Sequence, residues 1–321
     1  MDLIYMNAER EDIGVLLDYD FDLAFGADEN DFECKVATTS HCCAAGYYLY
    51  IEGTEYGGII DAIANDTASN EVTYSGRTWQ GLLNSKVIQP DSGQAYLTLS
   101  GEANSVIAAL LTRLGLNDLF EASSEASGIK INSYQMNRYI SGYDGIIKML
   151  KSVNAKLLFT FQNGKVILSA APRHDYSQDE EFDSDLVDFQ VKKNHNSVNH
   201  LVCLGSGELE ERTVVHLYAD GQGNISQTQT FTGLDEYAAV YDYPNAESVD
   251  DLIADGKDKL KELWASDELS INFTGDSDSY NIGDLVGAYD NVTQISICAE
   301  ITKKIVTVKN GQITISYEVG E

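Results

Sequence analysis

The run Leu269-Ser270-Ile271-Asn272-Phe273, which heads the last fifty residues of the chain, alternates apolar with polar side chains. A turn follows at Tyr280-Asn281-Ile282-Gly283-Asp284. After Leu285 and Val286 the alternation resumes at Ile295, Ile297, Ala299 and Ile301. Ile305 to Lys309 then leads through Asn310-Gly311 into Ile313, Ile315, Tyr317 and Val319 at strict period two. Alternation of this kind turns one face to a core and the other to solvent. Asn-Gly between two such runs marks a hairpin, because both residues accept the positive φ of a type I′ turn. The closing segment therefore reads as antiparallel β-structure, and no catalytic motif sits on it.

Before this segment, Ser248 and Asp251 are placed to cap a helix whose apolar stripe is Val249, Leu252, Ile253, Leu260, Leu263 and Trp264. Strands are expected at Val187 to Lys193, Val198 to Gly205 and Arg212 to Tyr218. The acidic stretch Asp175 to Asp188 reads as a linker. The middle of the chain is helical in period. One stripe runs Val106, Ile107, Leu110, Leu111 and Leu114 and is closed by Gly115. A second helix starts at Ser141 with Asp144 in its first turn. A hairpin follows, turning at Asn163-Gly164. The first hundred residues read mostly as strands, among them Phe21-Leu23-Phe25, Phe32-Cys34-Val36, Tyr47 to Glu52, Glu55 to Ala62 and Glu71 to Ser75. A short helix follows at Trp79, Leu82 and Leu83. Short strands closed by a helix suggest a small barrel. The order is thus β-rich at 1–100, small α/β with its acidic linker at 101–185, and β-rich with one long helix at 186–321.

Of 321 residues, 51 are acidic and 21 basic, giving a net charge of −30. A surface this negative favours solubility and repels phosphate backbones, which argues against a conventional DNA or RNA binder. No apolar run approaches the ~20 residues of a membrane helix. The N-terminus lacks the basic start of a secretory signal. Five scattered cysteines suit a reduced compartment at synthesis.

Candidate chemistry is sparse. Cys34, His41, Cys42 and Cys43 lack the paired-ligand spacing of a structural zinc site. His195, His200, Cys203 and His216 form a second thin group, but in a strand His200 and Cys203 take opposite faces. Leu204-Gly205-Ser206-Gly207 is not a nucleophile elbow. No catalytic, cofactor-binding or metal-binding residue is expected. Asp18, Asp20 and Asp22 lie at period two, so on a strand their carboxylates share one face. Like charges so placed cost stability unless solvated or bridged by a cation; the plain reading is a solvated acidic face.

Several stretches, taken in order, resemble the tail hub, or tail-associated, proteins of long-tailed bacteriophages and prophages. They are Asp31-Phe32-Glu33-Cys34-Lys35-Val36, Gly58 to Asp61, Tyr74 to Leu83 around Gly76-Arg77-Thr78-Trp79, Asn199 to Glu208, and Tyr280 to Gly287. The resemblance spans about residues 15 to 319. It implies two small β-barrel domains joined by a small α/β domain, with three copies forming a ring at the tail tip. Such a ring joins tail tube to tip, lets genomic DNA pass, and meets distal tail, tape-measure and fibre or spike proteins. It implies a virion protein made in the bacterial cytoplasm, with no cofactor and no membrane insertion. The sequence runs to Glu321 directly after the last strand, so the peptidase, lysozyme-like or receptor-binding extensions of many hubs are not expected. The architectural candidates are Asp18, Asp20, Asp22, Arg77, Trp79, Gly283 and Asp284. Arg77 is expected to pair with a local acid and Trp79 to lie in the core. A carbohydrate- or receptor-binding tail module is the alternative, suited by 19 tyrosines and acidic loops. A cell-wall hydrolase is a third reading.

Overall fold

Phe21, Leu23 and Phe25 lie on one face of the strand Tyr19–Gly26, and Phe32, Cys34 and Val36 on one face of Asn30–Ala37; all six are buried. In the computed structural model these strands pair antiparallel, Phe21 opposite Cys34 and Leu23 opposite Phe32. The structure describes residues 2–178, 181–183, 189–192, 197–221, 223–244, 246, 248–264, 268–271, 274–275, 280–292, 294–309 and 311–320. The chain divides into two compact units, 1–189 with 270–321, and 190–269.

The first unit is built on a twelve-stranded sheet. Its order runs Asp12–Leu16, Leu3–Met6, Tyr48–Tyr50, Gly57–Asp66, Glu71–Thr78, Asn30–Ala37, Tyr19–Gly26, Ile295–Lys309, Leu285–Asp290 and Glu181–Asp183. Gln312–Gly320 also pairs with Ile295–Lys309. Strands from the two ends of the chain therefore share one sheet, joined where Lys304 opposes Phe25 and Val306 opposes Leu23. The expectation of a closed barrel at each end is not met: among the described residues no sheet closes into a barrel. Period-two alternation fixes which face of a strand is buried but not which strand it pairs with.

The expected hairpin joins Lys309 to Gln312 across two residues, and Gly311 has φ 75°. Asn310 of that turn lies outside the described residues, as do Asn272 and Phe273 of the quoted run. The segments expected as separate strands around Ile301 and Ile305 form one fifteen-residue strand, Ile295–Lys309. Its register shifts between Ile301 and Lys303. This bulge changes the buried parity from Ala299 and Ile301 to Lys304, Val306 and Val308. Gly26 (φ 144°) accommodates the bulge, since a Cβ there would lie 2.2 Å from the Thr302 carbonyl oxygen.

Against this sheet the same unit builds its α/β part. Helix α1 (Trp79–Asn84) is capped by Thr78, α2 (Ala103–Leu114) ends at Gly115, and α3 (Gly142–Lys151) is capped by Ser141, whose side chain accepts from the Asp144 N–H. A three-stranded sheet orders Phe120–Ala122, Lys165–Pro172 and Ala155–Gln162. One core cluster gathers Trp79, Ile107, Leu111, Ile146, Leu150 and Phe161.

The second unit is a four-stranded sheet in the order Ile225–Ser226, Val214–Ala219, His200–Leu204 and Ala238–Asp242. Helix α4 (Val249–Leu263) packs against one face. Leu252 and Leu260 meet Leu201, Cys203, Val215 and Leu217 there. Val249, read as part of the apolar stripe, is half exposed. No helix among the described residues is long and apolar enough to cross a membrane.

Candidate functional site

Gly283 and Asp284 form a clamp between segments far apart in sequence. Asp284 is fully buried, and each of its carboxylate oxygens accepts from Lys156 Nζ at 2.7 Å. The same carboxylate accepts the backbone N–H groups of His174 (2.9 Å) and Asn281 (3.0 Å). Gly283 donates its N–H to the Ile301 carbonyl at 2.8 Å and accepts from Arg173 Nε. Arg173 also pairs with Glu300 at 2.7 Å, and Lys151 at the end of α3 meets the same carboxylate at 2.8 Å. Two acids and three bases thus tie the α/β part to the closing strands. With the Lys156 charge matched and hydrogen-bonded, its burial is tolerable; alone it would be costly. Gly283 has φ +95°, and a Cβ there would sit 3.2 Å from Lys156 Cβ, so the position favours glycine twice over.

Sequence reading named Gly283 and Asp284 but not Lys156, Arg173 or Glu300. Lys156 stands at the head of an apolar strand, the only local sign of an inward charge. Its partner is 128 positions away.

Arg77 makes a bidentate pair with Asp61, Nε to Oδ2 at 2.7 Å and Nη2 to Oδ1 at 2.8 Å, and its backbone N–H adds a third bond at 3.1 Å. These hydrogen bonds hold the Asp61 carboxyl below the usual carboxylate range. The pair lines a groove of about 320 Å³ with Asp31, Glu33, Ser75 and Gly76. Burial, then the neighbouring Glu29 and Glu33, raises the Asp31 carboxyl above its ordinary value. Asp20 and Asp22 lie on the same sheet face, Asp22 directly opposite Glu33 and Asp20 opposite Lys35. Asp20 also meets Lys309 at 2.7 Å. Asp18 is placed differently from the strand reading: it precedes the strand in a left-handed conformation (φ 52°). Two carboxylates, rather than three, share that strand face.

Trp79 is fully buried, stacked 5.3 Å from Phe161 at 11° and 6.2 Å from Tyr48. It joins the large sheet to the α/β core. The Cys42-Cys43 segment is pinned by the Tyr74 hydroxyl, which accepts both backbone N–H groups and lies 2.8 Å from His41 Nδ1. Burial pushes the Cys34 thiol up, and the Cys43 thiol up to about 12, which disfavours the thiolate a metal or an electrophile requires. In the second unit Cys203 faces the core under α4, whereas His200 and His216 meet on the opposite face. His195 lies outside the described residues.

The sequence matches no family model and no curated protein. Its fold is that of solved phage tail proteins. The prophage MuSo2 43 kDa tail protein from Shewanella oneidensis superposes with a TM-score of 0.58 at 11% identity, over 100% of this chain and 98% of that one. The tail protein from Neisseria meningitidis MC58 gives 0.55 at 11% identity, over 100% and 96%. Prophage tail protein gp18 from Listeria monocytogenes EGD-e gives 0.50 at 13% identity, over 99% and 94%.

Proposed function

We propose that this chain is a structural protein of a phage or prophage tail, acting by shape and assembly rather than by catalysis. The observation that carries this reading is the likeness in fold to two tail proteins over the whole chain, not over one part of it. In this reading three copies form a ring at the tail tip, joining tube to tip and meeting other tail proteins through open sheet edges, which ring closure covers. The unit of 1–189 with 270–321, whose end strands share one sheet, serves as one block with its own α/β part, and 190–269 as a second block.

The acidic sheet face supplies a mechanism for DNA passage. A positive channel lining would hold phosphates through counterion release; a lining that includes Asp22 and Glu33 repels them. Replacing Asp22 and Glu33 by lysine should slow genome delivery, and unchanged delivery would remove this part of the proposal. The reading as a whole is tested by interrupting the reading frame in the phage or prophage that encodes it. Particles should then lack complete tails until the chain is supplied in trans. Normal, infectious tails in its absence would refute it.

A further inference from the structure

The four-stranded sheet of residues 190–269 has α4 on one face only. The strand register places three rows on the other face: Tyr218, His200 and Ala238; His216, Val202 and Val240; Val214, Leu204 and Asp242. This surface exposes Val240 (68%) and Val214 (46%) beside the charged Asp242. It is also ordered. His200 Nδ1 lies 2.6 Å from Glu236 Oε1, its Nε2 lies 2.8 Å from His216 Nδ1, and its ring stacks on Tyr218 at 4.4 Å. Among the described residues the strand Ala238–Asp242 pairs on one side only, with His200–Leu204. Its other side has no strand partner among the described residues, and the strand carries no lysine or proline to blunt the edge.

We propose that this face and edge dock an extended basic polypeptide, added as a strand beside Ala238–Asp242. The occupant follows from charge. Asp235 and Glu236 flank one end of the edge strand. Asp242 lies at the other, paired to an Arg212 that follows the exposed Glu208, Glu210 and Glu211. A partner strand sets an apolar row beside Ala238 and Val240 on this face, and basic side chains at its ends against the acidic groups that flank the edge, the arrangement of strand addition. A second copy pairing edge to edge at this strand would set the same acidic rim against itself, so self-pairing is disfavoured at this edge.

The test uses the full chain and a fluorescent ten-residue peptide alternating lysine with valine. A lysine–glycine peptide of equal charge is the control. The lysine–valine peptide should bind at least about tenfold more tightly than the control, and should slow amide exchange at residues 238–242. Val240→Lys, or Ala238→Lys on the same face, should weaken binding about tenfold. Leu17→Lys, an equal change of charge at another exposed site, should leave it nearly unchanged. Equal loss with Leu17→Lys would show attraction to bulk charge and overturn the proposal. So would protection, already in the free chain, of those amides at 238–242 that point away from His200–Leu204, or a dimer that Val240→Lys dissolves. The tail reading stands or falls separately, since a tail protein with this face covered would still be required for tail assembly.

Discussion

Asp284 and Lys156 are the residues on which the first unit is most exposed to single changes. Asp284→Ala leaves a lysine 8% exposed without its counter-charge and two backbone N–H groups without an acceptor. Urea unfolding should report a loss of about 3–5 kcal/mol. Lys156→Met with Asp284→Leu should recover part of it, because the burial cost of both charges disappears together. Gly283→Ala should cost roughly 1–3 kcal/mol, through its positive φ and the close Lys156 side chain. Arg77 behaves differently, because its pair with Asp61 is about two-fifths exposed. Arg77→Met should cost under about 1 kcal/mol at pH 7. Hydrogen bonds from Arg77 lower the Asp61 carboxyl in the folded chain. The pair's contribution is therefore complete above the unfolded carboxylate value of about 3.9 and is lost as pH falls through the folded value. Wild type and Arg77→Met should converge in stability below about pH 4, and a gap that widened there would contradict this sign.

At the scale of elements, local signals were readable where local physics decides. Ser141 and Asp144 were read as a helix start, and Ser141 Oγ accepts the Asp144 N–H at 3.1 Å. Ser141→Ala should lower thermal stability by about 1 kcal/mol, with helix content retained on circular dichroism. Asn163-Gly164 was read as a hairpin turn and takes φ values of 53° and 74°. The pairing of Ile295–Lys309 with Tyr19–Gly26 was not readable, because the strands are nearly three hundred residues apart and either would suit many partners. The bulge at Thr302 was hidden for a related reason. Lys303 and Lys304 look like solvent residues, yet Lys304 is fully buried against Glu55 at 2.6 Å. Similarly, the clamp was half legible: a glycine before an acid in a turn is visible locally, but its lysine is chosen by the fold.

For the whole molecule, charge and assembly are the two levers. An excess of 30 negative charges opposes compaction through self-repulsion that salt screens. The melting temperature should rise from low to moderate ionic strength, and scanning fluorimetry in sodium chloride checks it. The same charge bears on assembly, because subunits of like sign meet more readily once screened. The proposed function has three copies closing into a ring. Native mass spectrometry at moderate salt, with negative-stain imaging of the same sample, tests it most directly. Trimers seen as rings are expected, formed by the chain alone or together with its neighbouring tail proteins. A chain that stays monomeric in both settings, at high concentration and with its fold intact, would contradict it.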